Sequence, residues 1–200
     1  MASDRIGSEN FSTTSSTVSV LLDYDNGGNP SARAYLDFIE ISGKPIVQHV
    51  VDMFPGIEDV LFIVNRDHFQ DKELKIESRL TKIYSNAKIA VIEPHKFGPS
   101  WAILQASEHI KQDSPVVVNY CDFACTWNFP AFREELTSGI DGLIATYSGF
   151  HPHMLRNAKY AYLKLNEFGN LIEIQEKLSF TSSPMAEPAS SGTYGFASCP

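Results

Sequence analysis

The chain has 200 residues, of which 43% are hydrophobic, and its 24 acidic against 16 basic side chains give a formal net charge of −8. This length suits one core of ordinary size, and the negative charge excludes a protein that holds nucleic acid or an anionic membrane through a broad positive field. The chain has no apolar run of about 20 residues and no secretory signal, so we expect a single domain in the cytoplasm.

The first part of the chain predicts a tail, a strand, a loop and a helix. Residues 1–16 are polar and rich in Ser and Thr, so we expect a disordered tail ahead of one domain at 17–200. The β-branched and aliphatic run at 18–22 predicts a strand, and the Asp, Asn, Gly and Pro residues of 23–36 predict a loop. Apolar residues at helical spacing predict a helix over 46–54.

A regular alternation of strand and helix follows. We predict strands at 60–64, 89–92, 115–119 and 142–147, and helices at 71–84, 99–111 and 129–136. The strands are mostly apolar, as expected where helices cover both faces of a parallel sheet, and their order predicts an α/β sandwich. After residue 150 the pattern predicts a hairpin at 160–165 and 171–175, a loop at 178–190 and a last strand at 192–196.

The cysteines predict no metal centre. Cys121, Cys125 and Cys199 are too few for a disulfide framework, and the C-x-x-x-C pair lacks the second Cys/His pair of a zinc site. We therefore expect Cys121 and Cys125 to be buried thiols.

The segment after the strand at 115–119 is the sharpest candidate site. In open α/β sheets the ligand lies beyond the carboxyl ends of the strands, and Asp122 is a lone carboxylate in that position. Magnesium takes one or two protein carboxylates together with phosphate oxygens of its substrate, so Asp122 is placed to hold this ion. A helix cap or a solvated loop carboxylate is the alternative.

Three further segments carry polar groups with two interpretations each. Residues 93–99 end a strand and open a helix whose first amides could accept a phosphate, or they form an ordinary turn. His151 and His153 could be metal ligands, although a polar loop is the more common meaning of this spacing. Glu176 and Lys177 form a surface charge pair or reach a phosphate or sugar.

A series of motifs runs in order along the chain. They are Gly43-Lys44-Pro45 with the residues to Gly56, Asn65-Arg66-Asp67-His68, Glu93-Pro94-His95-Lys96 with Gly98-Pro99, Pro115 to Phe123, Gly149 to His153, Ile174-Gln175-Glu176-Lys177 and Ala189 to Phe196. Over about residues 17–198 this series resembles the sugar-phosphate nucleotidyltransferases, and more narrowly the branch found in capsule and surface-polysaccharide loci.

The resemblance implies a fold, a reaction and ligands. The fold would be a Rossmann-like three-layer α/β sandwich with a mostly parallel mixed sheet. The reaction would transfer a nucleoside monophosphate from an NTP to a phosphorylated sugar or similar acceptor, with Mg²⁺ as cofactor and release of pyrophosphate. The partners would be these small molecules, with neither nucleic acid nor membrane, and a homo-oligomer is left open.

The resemblance also implies roles for individual residues by motif position. It implies nucleotide binding by Leu22, Gly27, Gly28, Glu93 and Gly98, acceptor binding by Tyr147, Glu176, Lys177 and Gly192, catalysis by Arg33, Asp122 and Lys177, and metal binding by Asp122.

The first loop departs from the family pattern. Asp23 and Asp25 lie in the segment that would hold the triphosphate, and Leu36 occupies the position of the expected catalytic lysine. Three functions therefore stay open: an active nucleotidyltransferase, a non-catalytic relative that binds a nucleotide or sugar phosphate, and a metal-dependent glycosyltransferase.

Overall fold

A mixed eight-stranded sheet organises the chain in the computed structural model, which describes residues 17–21, 38–151 and 160–198, the first of these as a strand path alone. The strands are β1 Thr17–Leu21, β2 Glu40–Ile41, β3 Lys44–Pro45, β4 Asp59–Asn65, β5 Lys88–Ile92, β6 Val116–Tyr120, β7 Gly142–Tyr147, β8 Ala161–Leu165, β9 Leu171–Glu176 and β10 Ala189–Phe196. The helices are α1 Ile46–Asp52, α2 Arg66–Gln70, α3 Ile76–Ile83, α4 Pro99–Gln105 and α5 Phe129–Leu136, with 3-10 turns at Ser107–His109 and Pro184–Ala186.

The strand order creates a switch point beside β1. Strands β5, β4, β1 and β6 are parallel and adjacent in that order. The chain moves outward from β1 to β4 and β5 and then returns to β6 on the other side of β1. Strand β10 is antiparallel to β6, and β7 and β8 both pair antiparallel with β10, while β2 and β3 form a separate small hairpin. Ligands of such sheets bind where the strand order reverses, beyond the carboxyl ends.

Helices cover both faces of the parallel strands. Residues Val60, Phe62 and Val64 of β4 pack with α1, α3 and α5, whereas Leu61 and Ile63 pack on the opposite face with Ala102 and Ala106 at α4. This alternation follows from the two-residue period of a strand, and a strand buried on both faces is expected to be mostly apolar. The predicted three-layer α/β sandwich with a mixed sheet is confirmed.

Several predicted boundaries are wrong by a few residues. The helix predicted over 71–84 is shortened to α3, because Lys75 adopts a left-handed conformation with φ 47° immediately before Ile76, and α2 lies wholly before the predicted range. The helix predicted over 99–111 ends at Gln105 and continues as a 3-10 turn, and the helix predicted over 46–54 ends at Asp52.

The last strand begins earlier than predicted. It starts at Ala189 rather than 192, because Ala189 pairs with Tyr147 of β7 and Tyr162 of β8. Those two pairings join segments that are distant in the chain, so the local pattern of apolar residues does not predict them. Within residues 38–151 and 160–198, no helix combines the length and the apolar character needed to cross a membrane.

Candidate functional site

The carboxyl end of β6 is organised by a buried amide. Asn119 has 0% exposure, and its Nδ2 donates to the carbonyl oxygens of Tyr120 at 2.6 Å and Phe123 at 3.4 Å. Its Oδ1 accepts a short hydrogen bond from the Thr193 hydroxyl of β10. These hydrogen bonds hold the turn at the end of the strand, and Asp122 in that turn is exposed beyond the sheet.

Three rings pack beside this turn. The ring centroid of Tyr160 lies 6.2 Å from that of Tyr147 and 5.4 Å from that of His151, and Tyr147 lies 5.5 Å from His151. Burial raises the pKa of Tyr147 to about 12, with smaller contributions from Tyr160 and Tyr162. Burial and the negative charge of Asp122 raise the pKa of Tyr160. Both phenols are therefore neutral near pH 7, and the Asp122 carboxylate lies close enough to act on Tyr160.

Lys177 reaches the same corner of the molecule through its backbone. Its amide donates to the Tyr160 carbonyl oxygen at 3.2 Å, and its φ of 58° turns the chain sharply at the end of β9. The ammonium group lies 3.5 Å from Glu176 Oε1, and both side chains are exposed. The charge pair predicted at this position therefore exists, and the backbone of Lys177 contacts that of Tyr160.

A bulge in β10 brings Gly192 against Tyr120. The pairing of β10 with β7 shifts between Ser190 and Tyr194, so three residues of β10 oppose Ala145 alone. Gly192 lies in this bulge with φ 83°, and a Cβ added to it would lie only 2.5 Å from Tyr120 Cδ2. Only glycine allows this approach of the two strands.

A cavity of about 340 Å³ opens beside this contact. Its lining comes from the first turns of α4 and from one face of β6 and β10, and consists of Pro99, Ser100, Ile103, Val118, Tyr120, Gly192, Tyr194 and Phe196. Gly98 is the N-cap of α4 with φ 85°, so its backbone leads directly into the cavity wall. Apolar and aromatic walls with a few polar groups suit a small ring-containing ligand.

Glu93 lies apart from this cluster. It follows β5, three strands from β6 in the sheet order, and its carboxylate pairs with Arg66 at 2.6 Å on the surface. The structure thus brings Asp122, Tyr147, Lys177 and Gly192 to one region but holds Glu93 in a separate ion pair.

A second cavity, of about 410 Å³, is lined by the end of α1 and by residues 124–127, which follow the Asp122 turn. Its polar lining is engaged within the fold: Asp52 binds Lys44 at 2.7 Å, His49 Nε2 contacts the Ile41 carbonyl at 2.7 Å, and Trp127 Nε1 donates to the Met53 carbonyl at 2.8 Å. We therefore take the smaller cavity, with Tyr120 and Gly192 in its wall, as the candidate site.

The prediction of two buried thiols is confirmed for Cys121 and wrong for Cys125. Cys121 is buried under the turn, but Cys125 is exposed in the segment that connects β6 to α5. Its backbone amide donates to the Met53 sulfur at 3.4 Å.

The described residues contain no preformed metal cage, and Asp122 is the candidate ligand for a divalent cation. Across 17–21, 38–151 and 160–198, no three His, Cys, Asp or Glu residues converge as metal ligands. Asp122 instead offers a single exposed carboxylate at the switch point. A magnesium ion that takes most of its ligands from substrate and water fits this donor set.

Several predicted site residues fall outside the described part of the chain. Two further residues of the site were not predicted from the sequence. Leu22, Gly27, Gly28, Arg33 and Leu36 lie outside the described residues, as do the predicted tail and His153. The sequence predicted no role for Asn119 or Tyr160. The apolar strand before Asn119 was the available signal, since a buried amide there needs partners.

The fold is shared with solved sugar nucleotidyltransferases. HddC from Yersinia pseudotuberculosis in complex with GMP-PN aligns with a TM-score of 0.60 and 19% identity over 90% of this chain and 76% of that chain. A UDP-glucose pyrophosphorylase in complex with UDP-glucose aligns at 0.65 and 16% identity over 91% and 76%. A protein from Bacillus anthracis assigned as a glucose-1-phosphate thymidylyltransferase, in complex with sucrose, aligns at 0.68 and 16% identity over 90% and 71%.

No family model and no curated protein sequence matches the chain. At identities below 20% the likeness to the solved structures concerns the course of the chain. The described residues therefore adopt the α/β fold of the nucleotide-diphospho-sugar transferases.

Proposed function

We propose that this chain is a nucleotidyltransferase that transfers a nucleoside monophosphate from an NTP to a sugar phosphate or a similar phosphorylated acceptor. A phosphate oxygen of the acceptor attacks the α-phosphorus of the NTP and forms a new P–O bond. The bond to the β-phosphate breaks, and pyrophosphate leaves. The activated product would serve polysaccharide synthesis, a role supported by the motif series that resembles the capsule branch.

The observation that carries the proposal is the convergence of Asp122, Tyr160 and Lys177 beyond the carboxyl end of β6. Asp122 acts electrostatically on Tyr160, and the Lys177 amide binds the Tyr160 carbonyl. The backbone of Lys177 therefore lies against Tyr160, and its exposed ammonium group would supply a phosphate side to a site whose metal side is Asp122. Phosphoryl transfer needs this combination, because catalysis consists mainly of positioning the reactants and offsetting charge.

Each residue has a separate task in this proposal. The exposed Lys177 ammonium would pair with the acceptor phosphate, and the Glu176 carboxylate would accept hydrogen bonds from acceptor hydroxyls. The Tyr147 phenol, which burial keeps protonated, can donate a hydrogen bond. Gly98 at the start of α4 would take the nucleotide side of the adjoining cavity, and Gly192, which lies in the β10 wall of the same cavity, would line its acceptor side.

Asp122 is the residue that would hold Mg²⁺, which when bound supplies positive charge at the phosphate oxygens. A single exposed carboxylate gives weak affinity for the free ion. We therefore expect the affinity of the protein for the metal to rise steeply in the presence of a nucleotide.

The test is a binding and turnover panel. Calorimetric titration of each NTP, each NDP and a set of sugar phosphates, with and without Mg²⁺, identifies the ligands, and pyrophosphate release from any pair that binds establishes the reaction. Lys177→Ala should raise KM for the acceptor, whereas Lys164→Ala, which removes an exposed lysine from β8, should leave it unchanged. Turnover that is insensitive to Lys177 would refute its role.

A non-catalytic relative is the second candidate, and the first loop favours it. Asp23 and Asp25 add negative charge in the segment expected to hold a triphosphate, and Leu36 cannot donate to a phosphate. Loss of one charge-stabilising donor typically lowers turnover by about 100- to 1000-fold. Binding of sugar phosphate or NDP without NTP affinity would support this candidate and would exclude the enzyme.

A further inference from the structure

The buried contact between Asn119 and Thr193 joins the two halves of the candidate site. Thr193 lies directly opposite Asn119 in the pairing of β10 with β6, and their exposures are 1% and 0%. The Thr193 hydroxyl donates to Asn119 Oδ1 in a short hydrogen bond. A polar pair at such depth is expected to be fully hydrogen-bonded, because an unmet group there is costly.

The other end of the Asn119 amide holds the turn that carries Asp122. Its Nδ2 donates to the carbonyl oxygens of Tyr120 and Phe123, which lie on the two sides of Asp122 in the chain. The turn has residues exposed to solvent, so the two hydrogen bonds from the Asn119 amide limit its motion. The direction of the Asp122 carboxylate therefore depends on the orientation of the Asn119 amide.

Thr193 is at the same time the last residue of the bulge that presents Gly192. The bulge interrupts the pairing of β10 with β7, and Gly192 packs against the Tyr120 ring. A shift of Thr193 would move Gly192 and release Tyr120, which is also a carbonyl partner of Asn119. One buried linkage thus reaches both the metal side and the acceptor side.

We propose that Asn119 and Thr193 are positioning residues that couple the Asp122 turn to the acceptor-side bulge at Gly192. Neither residue lines the cavity, so each acts through its neighbours. The functional part of this inference rests on the proposed nucleotidyltransferase activity, whereas the mechanical coupling does not. Coupling between two sites is reciprocal, so loosening one side of the linkage loosens the other.

The matched variants come from the same strand. Thr193→Val removes the hydroxyl and keeps a branched side chain, and Thr193→Ser keeps the hydroxyl. Ser191→Ala removes another buried hydroxyl of the bulge, which donates to the Ala145 carbonyl at 3.0 Å and has no bond to Asn119. The three variants separate loss of this linkage from loss of any buried hydrogen bond.

Amide hydrogen exchange of the full chain tests the mechanical coupling without a ligand. Thr193→Val should speed exchange in the peptide around residues 120–123 as well as in β10. Thr193→Ser should resemble the wild type, and Ser191→Ala should affect β10 and β7 alone. Faster exchange confined to β10 in Thr193→Val would overturn the inference.

Turnover measured over a range of MgCl₂ concentrations tests the functional part of the inference. Thr193→Val should raise the MgCl₂ concentration for half-maximal rate and lower kcat by about 10- to 100-fold, because a small misplacement of a reacting group has effects of this size. Thr193→Ser should keep both quantities at their wild-type values. A purely structural role would lower the Tm and leave the MgCl₂ dependence of the folded protein unchanged, which would overturn the inference. If the wild type binds no NTP or sugar phosphate, the proposed function fails, and the exchange result still decides the coupling.

Discussion

Replacing Gly192 by Ala tests the closest backbone approach in the candidate site. The glycine has φ 83°, and the added Cβ would lie 2.5 Å from Tyr120 Cδ2 and 3.2 Å from Tyr120 Cε2. Two separate costs follow, one from the backbone conformation and one from the ring. The Tyr120 ring also lines the cavity and cannot move without changing its wall.

The magnitude follows from these two costs. A side chain at positive φ costs about 1–2 kcal/mol, and forcing an extra carbon into a packed contact costs about 1–3 kcal/mol. We therefore expect Gly192→Ala to lower the free energy of unfolding by about 2–5 kcal/mol, the sum of these terms. The loss of chain entropy in the unfolded state that alanine brings is smaller and opposes this change.

Gly169→Ala is the matched control. Gly169 has φ 81° in the turn of the β8–β9 hairpin, and a Cβ there meets no atom within 4 Å. It should therefore carry the backbone cost and none of the ring contact. Urea unfolding of both variants at one pH gives the difference, which we expect to be about 1–3 kcal/mol.

A Tyr120→Ala background separates the energetic cost of the ring contact from the cost of the backbone conformation. In Tyr120→Ala the ring is gone, so adding Gly192→Ala should cost no more than Gly169→Ala costs in the wild type. Our reasoning is refuted if Gly192→Ala destabilises the wild-type chain no more than Gly169→Ala does, because the 2.5 Å contact would then have no energetic consequence.

Asp122→Asn should abolish Mg²⁺-dependent nucleotide binding in calorimetric titration, and an unchanged Mg²⁺ dependence would remove Asp122 from the site. Leu36→Lys should raise the rate of pyrophosphate release, because it restores a positive charge at the expected lysine position, and the absence of any gain would contradict that alignment. Burial raises the pKa of Glu187, but hydrogen bonds from Thr181 and Ser179 and from backbone amides outweigh it, so the pKa lies below its ordinary value of 4.5. Its stabilising contribution is therefore present above about pH 4.5 and is lost as the pH falls through the lowered pKa. Urea unfolding should show Glu187→Gln to be destabilised at about pH 7, with a gap to the wild type that narrows in acid, and a gap independent of pH would contradict this.

The sequence alone determined the order and type of the main elements. The runs at 60–64 in β4 and 116–118 in β6 are wholly apolar, and the helix of residues 129–136 has matching bounds in the structure. Such patterns are local: the period of apolar residues reports which face is buried, whatever the rest of the chain does. For the same reason the position of Asp122 after a buried strand is evident from the amino-acid order alone.

Tertiary structure decided the elements whose partners are distant in the chain. The start of β10 depends on Tyr147 and Tyr162, and the bulge at Gly192 depends on the pairing with β7. The exposure of Cys125 depends on the path of the segment that connects β6 to α5. These features arise from contacts between segments far apart in the chain, and a pattern within one segment carries no information about them.

The candidate site divides in the same way. The sequence determined that a carboxylate and a lysine follow strands at Asp122 and Lys177 and that Gly192 belongs to the last strand, because strand ends can be located from hydrophobic periodicity. Only the tertiary structure decided that Glu93 pairs with Arg66 away from them and that Asn119 ties the Asp122 turn to Thr193. Hydrogen bonds between strands need atoms within about 3 Å, and sequence order does not specify which distant atoms reach that distance.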